Sequence, residues 1–92
     1  MILRIDCMTR LEIGDAMSRV RDAIARANGR IADHKLIDHK LAEFNIWLPD
    51  RGFETFLDRL PELAVYVENA VSPDRVRGRE VRCRLALSFE AA

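Results

Sequence analysis

From Val81 to Phe89 the chain reads "VRCRLALSF", with Val81, Cys83, Leu85, Leu87 and Phe89 on every second position. Successive side chains of a strand point to opposite faces, so this strict alternation predicts a strand with one face in a core. Such a strand needs neighbours for its backbone N–H and C=O groups and a covering layer for its apolar face. Both have to come from the residues before it.

Near the N-terminus, "ILRIDC" alternates Leu3, Ile5 and Cys7 against Ile2, Arg4 and Asp6, a second strand with one better-buried face. The pattern then changes. Thr9 precedes Glu12 by three positions, the spacing of a capping box, with Met8 and Ile13 placed as its hydrophobic staple. Ile13, Met17, Val20, Ile24 and Ala27 recur at threes and fours, which predicts an amphipathic helix over Leu11–Asn28 with Arg19, Arg21, Asp22 and Arg26 off the stripe. Asn28-Gly29 supplies residue types that accept a left-handed C-cap.

"IADHKLI" and "LAEFNIWL" predict a hairpin turning near Asp38-His39-Lys40, its second strand alternating Ala42, Phe44, Ile46 and Leu48 against Glu43, Asn45 and Trp47. A helix through Ile31–Phe44 is the competing reading, because Ile37, Leu41 and Phe44 are also helically spaced; Gly29 and the β-branched and aromatic "FNIW" weigh against it. Pro49 stops the strand, Asp50 can cap, and Phe53, Phe56, Leu57 and Leu60 form the apolar side of a short helix, Gly52–Leu60, ending before Pro61. "LAVYVENAV" reads as a further strand.

Strand, helix, strand, strand, helix, strand and a last strand is the order of an α+β domain of ferredoxin-like type: a βαββαβ sandwich with an additional C-terminal strand. Right-handed crossovers put both helices on one face of an antiparallel sheet. With no compositional break or repeat, residues 1–92 read as one domain. Residues Ile2 to Val71 resemble the ACT family and related ferredoxin-like regulatory modules in "ILRIDC", in the helix through "AMSRVRDAIARANGRI" and in "FNIWLPDRGFETFLDRLPELAVYVENA". The resemblance implies a non-catalytic module that binds an amino acid or other small effector and pairs through strands or helices. It also implies a ligand loop after the first strand, at Thr9 and Arg10.

Fifteen basic and 15 acidic residues balance to zero formal charge, giving no general attraction to nucleic acid or anionic lipid. The N-terminal "MILRIDCMTRLEIGD" interrupts its apolar residues with Arg4, Asp6 and Arg10, so it reads neither as a signal peptide nor as a membrane span, and a cytoplasmic protein is the expectation. Cys7 and Cys83 sit in no zinc or redox spacing and fall on inward positions, where reduced core thiols are expected.

The densest functional stretch is "ADHKLIDHKL". On a strand His34 and His39 point to opposite faces, and on a helix they lie about 140° apart, so neither geometry lets them chelate one ion. His34 and Asp38 share a face of a regular strand but stand about 13 Å apart at ~3.3 Å per residue, beyond one ligand sphere. "RGFETF" has the composition of an RNA-stacking submotif but opens a helix, where Phe53 and Phe56 turn inward. Between Asp74 and Arg84 lie Arg75, Arg77, Arg79, Arg82 and Arg84, whose guanidinium forks suit phosphate or carboxylate.

No Gly-rich phosphate loop or nucleophile elbow is present, and no metal or cofactor is expected. The functional expectation is therefore a non-catalytic regulatory or ligand-binding module, homodimeric because its core is small, with Thr9, Arg10, Arg82 and Arg84 as ligand-binding residues and a small effector or acidic protein as partner. Two alternatives stay open: a protein-assembly module, or a small dimeric enzyme with a site between sheet and helices, for which His34, Asp38, Trp47 and Tyr66 are the residues to inspect.

Overall fold

The computed structural model describes residues 2–70 and 80–90. In chain order they form β1 (Ile2–Thr9), α1 (Ile13–Arg26), β2 (Arg30–Asp38), β3 (Leu41–Pro49), α2 (Asp50–Glu62), β4 (Val65–Ala70) and β5 (Glu80–Phe89). The hairpin reading of Ile31–Phe44 holds and the helical one does not. "RGFETF" is helical, with Phe53 and Phe56 fully buried.

The α+β class and the order of elements agree with the sequence reading; the sheet does not. Its five strands run β2-β3-β5-β1-β4. A ferredoxin-like sandwich is antiparallel and sets its first and third strands side by side, whereas here β5 separates them, parallel to β1 and antiparallel to β3. Since β1 and β3 run in opposite directions, any strand between them must be parallel to one, and the sheet is mixed. The alternation of β5 matches its covered face: its four inward residues Val81, Cys83, Leu85 and Leu87 are all buried.

These residues join Leu3, Ile5 and Cys7 of β1 and Ala42, Phe44, Ile46 and Leu48 of β3 in one cluster with the apolar stripes of α1 and α2. Both helices thus lie on one face of the sheet. The other face is uncovered among the described residues, and this is where the outward residues of all five strands stand.

Several local expectations need correction. No capping box forms: the N-cap of α1 is Glu12, without a side-chain hydrogen bond. Thr9 is instead the last residue of β1, paired on both sides with Val65 and Phe89. α1 ends in the Schellman pattern, with the Asn28 and Gly29 amides donating to Ala25 and Ile24 carbonyls at 3.0 and 2.9 Å. Asn28 is the left-handed residue (φ 60°), while Gly29 serves close approach, since a Cβ there would lie 2.6 Å from Leu48 Cδ2 and 2.8 Å from the Trp47 carbonyl oxygen. α2 starts earlier than read and continues through Pro61. Proline's fixed φ fits a helix, and near the C-terminus it forfeits one hydrogen bond without breaking a long helix behind it.

The β2–β3 hairpin positions the candidate residues. Asp38 Oδ1 accepts from the Lys40 amide at the turn. The ladder slips at Ala32 and at Ile37, each an unpaired residue in β2. A single inserted residue changes which face the following side chains take. Among the described residues, no helix is long and apolar enough to cross a membrane.

The central and edge strands make opposite demands on stability. Leu85→Ala, which empties a fully buried site on β5, is expected to lower the unfolding free energy by about 2–5 kcal/mol. Leu36→Ala, on a β2 residue that is 49% exposed, should change it by no more than about 0.5 kcal/mol. Urea denaturation of the two variants checks the ranking, and equal costs would contradict the central placement of β5.

Candidate functional site

The registers of β2, β3, β5 and β1 bring residues of distant sequence into rows across the uncovered face. The first row is Arg30, Trp47, Arg82 and Ile2, and the second Asp33, Asn45, Arg84 and Arg4. Adjacent strands are ~4.8 Å apart, so each row is a line of near neighbours. Four arginines and the only tryptophan of the chain therefore gather at one end of the sheet.

Trp47 is half-buried between two guanidinium groups, with Arg30 Cζ 5.4 Å and Arg82 Cζ 5.9 Å from its ring centroid. Both lie within reach of cation–π attraction. Arg30 is also bound to Glu80 (Nη2 to Oε2, 3.2 Å), and Arg4 donates from Nε to Asp6 Oδ1 at 3.1 Å. Asn45 donates to Asp33 Oδ1 at 2.6 Å. Among the described residues, neither Arg82 nor Arg84 has a carboxylate partner. Arg84 moreover pairs with Arg4 on the neighbouring strand. Like charges side by side on one face are unfavourable. The cluster is thus an exposed positive corner around an aromatic plate, with guanidinium donors that have no carboxylate partner among the described residues.

Of the four residues expected to bind ligand, Arg82 and Arg84 belong to this corner. Arg10 does not: it lies just past the end of β1, about 26 Å from Arg82 at ~3.3 Å per residue, where it lines a shallow cleft with Met8, Leu11, Ala64 and Tyr66. Thr9 is fully buried, and its hydroxyl is used within the fold, donating to the Ala64 carbonyl at 2.8 Å and accepting from the Leu11 amide at 3.2 Å. The other arginines of the basic segment, Arg75, Arg77 and Arg79, lie outside the described residues.

The set proposed for a shared enzyme site does not converge. His34 stands on the helix-side face, its ring stacked on Phe44 at 6.0 Å, while Asp38 pairs with Leu41 on the other face because the slip at Ile37 reverses the parity. The shared face expected for His34 and Asp38 is corrected accordingly. Tyr66 lies beside Met8 and so level with Ser88, about 20 Å from the Arg82 row that holds Trp47. Among the described residues there is no group of three or more His, Cys, Asp or Glu able to hold a metal ion.

Arg30 and Arg4 are the members that sequence reasoning passed over. Their signal was present in the alternation: each occupies an outward position of a strand, but their neighbours could be identified only with the strand order in hand.

Comparison with known proteins identifies no relative: no family model, no curated protein and no solved structure matches this chain.

Both cysteines are free and buried. The Cys7 thiol is pushed up to about 12, chiefly by burial and further by the nearby Asp6 and Glu68 carboxylates. Such a thiol is a poor nucleophile at neutral pH. An acid whose folded value exceeds its unfolded one contributes stability that is intact below the unfolded pKa of about 9 and is lost as pH rises towards 12. Over that window Cys7 is expected to remove about 1.4 kcal/mol per pH unit. Denaturant unfolding between pH 8 and 11 should show a steeper alkaline loss for the native chain than for Cys7→Ala; parallel slopes would exclude the effect.

Proposed function

We propose that this chain is a non-catalytic ligand-binding module of the regulatory kind, acting as a pair of identical copies and recognising a small anionic effector on the uncovered sheet face. The observation that carries the reading is the pairing of two guanidinium groups without a carboxylate partner among the described residues, Arg82 and Arg84, with a tryptophan plate and the like-charged Arg4 beside them. A phosphate or carboxylate would accept the forked donors and relieve the repulsion between Arg84 and Arg4. Trp47 would take the planar or apolar part of the same molecule.

The corner also explains why a neutral chain can bind an anion. Net charge governs general attraction, whereas local charge on one face governs a site. Because the groups are solvent-exposed, the interaction is screened by salt over a Debye length of about 8 Å at physiological ionic strength. An acidic protein partner would meet the same arginines, but would show a far larger buried area and little response to a single free anion.

Trp47 reports on this face directly. Titration of the protein with inorganic phosphate, a nucleoside monophosphate and acidic amino acids at low salt is expected to change Trp47 emission with at least one of them and to raise the melting temperature as binding accumulates. Arg82→Gln with Arg84→Gln should weaken that response at least tenfold while leaving the melting temperature without ligand within a few degrees. Should no anion of any of these classes move either signal, the effector reading fails.

A further inference from the structure

β2 closes one side of the sheet, and among the described residues nothing pairs along its outer edge. Eight of its nine residues, all but Ile31, are exposed, including Leu36 and Ile37 at 49% each. An exposed strand edge is a template for another strand, and natural edges are usually blunted by charge, proline or bulges. This one has charge and two ladder slips, at Ala32 and Ile37, but the charge is arranged symmetrically. Read about His34, "RIADHKLID" is a palindrome of complementary types: Arg30 and Asp38, Ile31 and Ile37, Ala32 and Leu36, Asp33 and Lys35 are equidistant from the centre.

We propose that two copies of this chain pair antiparallel through their β2 edges about a two-fold axis at His34, joining two five-stranded sheets into one. Every charged residue of the strand then faces its opposite in the second copy, and every aliphatic residue faces an aliphatic one. Moved by one residue in either direction, Asp33 would face Leu36 or His34 and Lys35 would face His34 or Ala32, and the charge matching is lost. Asp33 and Lys35 lie on the same, uncovered face of their strand, opposite Asn45 and Glu43, as partners across an antiparallel seam must. The two ladder slips, at Ala32 and Ile37, leave the run from Asp33 to Leu36 regular, and the axis passes through that run. An interface in which the same patch meets itself closes at two copies.

The inference rests on the self-association proposed above and gives it a surface, and the test separates the two. Sedimentation equilibrium of the native protein at tens of micromolar should show a dimer of the 10.6 kDa chain. Asp33→Lys and Lys35→Asp each put like charges at both symmetry-related contacts, and each variant alone should dissociate at least tenfold more readily. Mixed in equal amounts, the two variants bring opposite charges together at positions 33 and 35 and should recover the dimer. His34→Cys supplies a check that needs no change of charge. His34 faces its own copy across the axis, at a spacing suited to a disulfide, so mild oxidation should link two His34→Cys chains while the buried Cys7 and Cys83 stay out of reach. Circular dichroism confirms that each variant is folded. A native protein that remains a 10.6 kDa monomer overturns self-association altogether. A native dimer that survives both single substitutions, or a mixture of the two that stays monomeric, or a His34→Cys chain that does not cross-link, overturns this edge while leaving self-association by another surface standing.

Discussion

The last strand of this chain is the middle of its sheet, and the other features of the structure depend on that placement. β5 pairs with β1 in a parallel ladder from Ile2 beside Arg82 to Thr9 beside Phe89, and with β3 in an antiparallel ladder from Pro49 beside Glu80 to Leu41 beside Ser88. β5 is the partner of both inner edges, that of β1 and that of β3. The β1–β4 pair and the β2–β3 hairpin are each two strands wide, and units of that size are marginal alone. Closing the centre requires contact across nearly the whole chain. The entropy of such a closure grows only slowly with length, but it slows folding and lengthens the time for which strand edges stand open.

The same insertion builds the two unlike faces. Inward, β5 presents Val81, Cys83, Leu85 and Leu87, and these join the cluster that holds the apolar stripes of both helices. Outward, it runs from Arg82 and Arg84 to the small Ala86 and Ser88, so the charge lies at one end only. At the edge of a sheet those arginines would have one strand beside them. In the centre they have Trp47 and Asn45 on one side and Ile2 and Arg4 on the other. The residue spacing of a single strand thus becomes a cluster drawn from four.

What was legible in the sequence follows from what periodicity encodes. The elements and the buried face of each could be read because alternation and helical spacing record burial directly: Leu3, Ile5 and Cys7, the Phe53–Leu60 stripe and the inward residues of β5 all lie where their spacing put them. Strand order was not legible, because a period says which side of a strand is covered and nothing about its neighbours. Thr9 shows the other limit. Its spacing to Glu12 suits a capping box, yet pairing with both Val65 and Phe89 holds it in β1, and tertiary structure overrides the local signal. At Asp38 a one-residue slip, invisible to any count of positions, sets the side chain on the opposite face from His34. As for the candidate site, Arg82 and Arg84 were legible as outward residues with suitable chemistry, and Arg4 and Arg30 became members only through the order of the strands.

The seam and the arginine corner share two residues, Arg30 and Asp33, the second of which accepts from Asn45 beside Arg84 and in the proposed pairing faces Lys35 of a second copy. Arg30 stacks on Trp47, is bound to Glu80, and in the proposed pairing faces Asp38 of a second copy. A guanidinium drawn towards the seam is less available to an anion beside Trp47, and an anion that engages Arg30 competes with the seam for the same charge. Arg82 and Arg84, two strands further in, are outside that competition. On the two proposals together, binding and pairing would be coupled through Arg30 and Asp33, and by linkage any weakening of the seam by ligand would equal the weakening of ligand binding by the seam. The coupling is bounded by the share of each interaction that these exposed charges supply, which for a surface pair is small, about 0–1 kcal/mol. On the same two proposals, pairing would adjust affinity by a modest factor and not switch it on and off, because Arg82 and Arg84 lie outside the seam in either state.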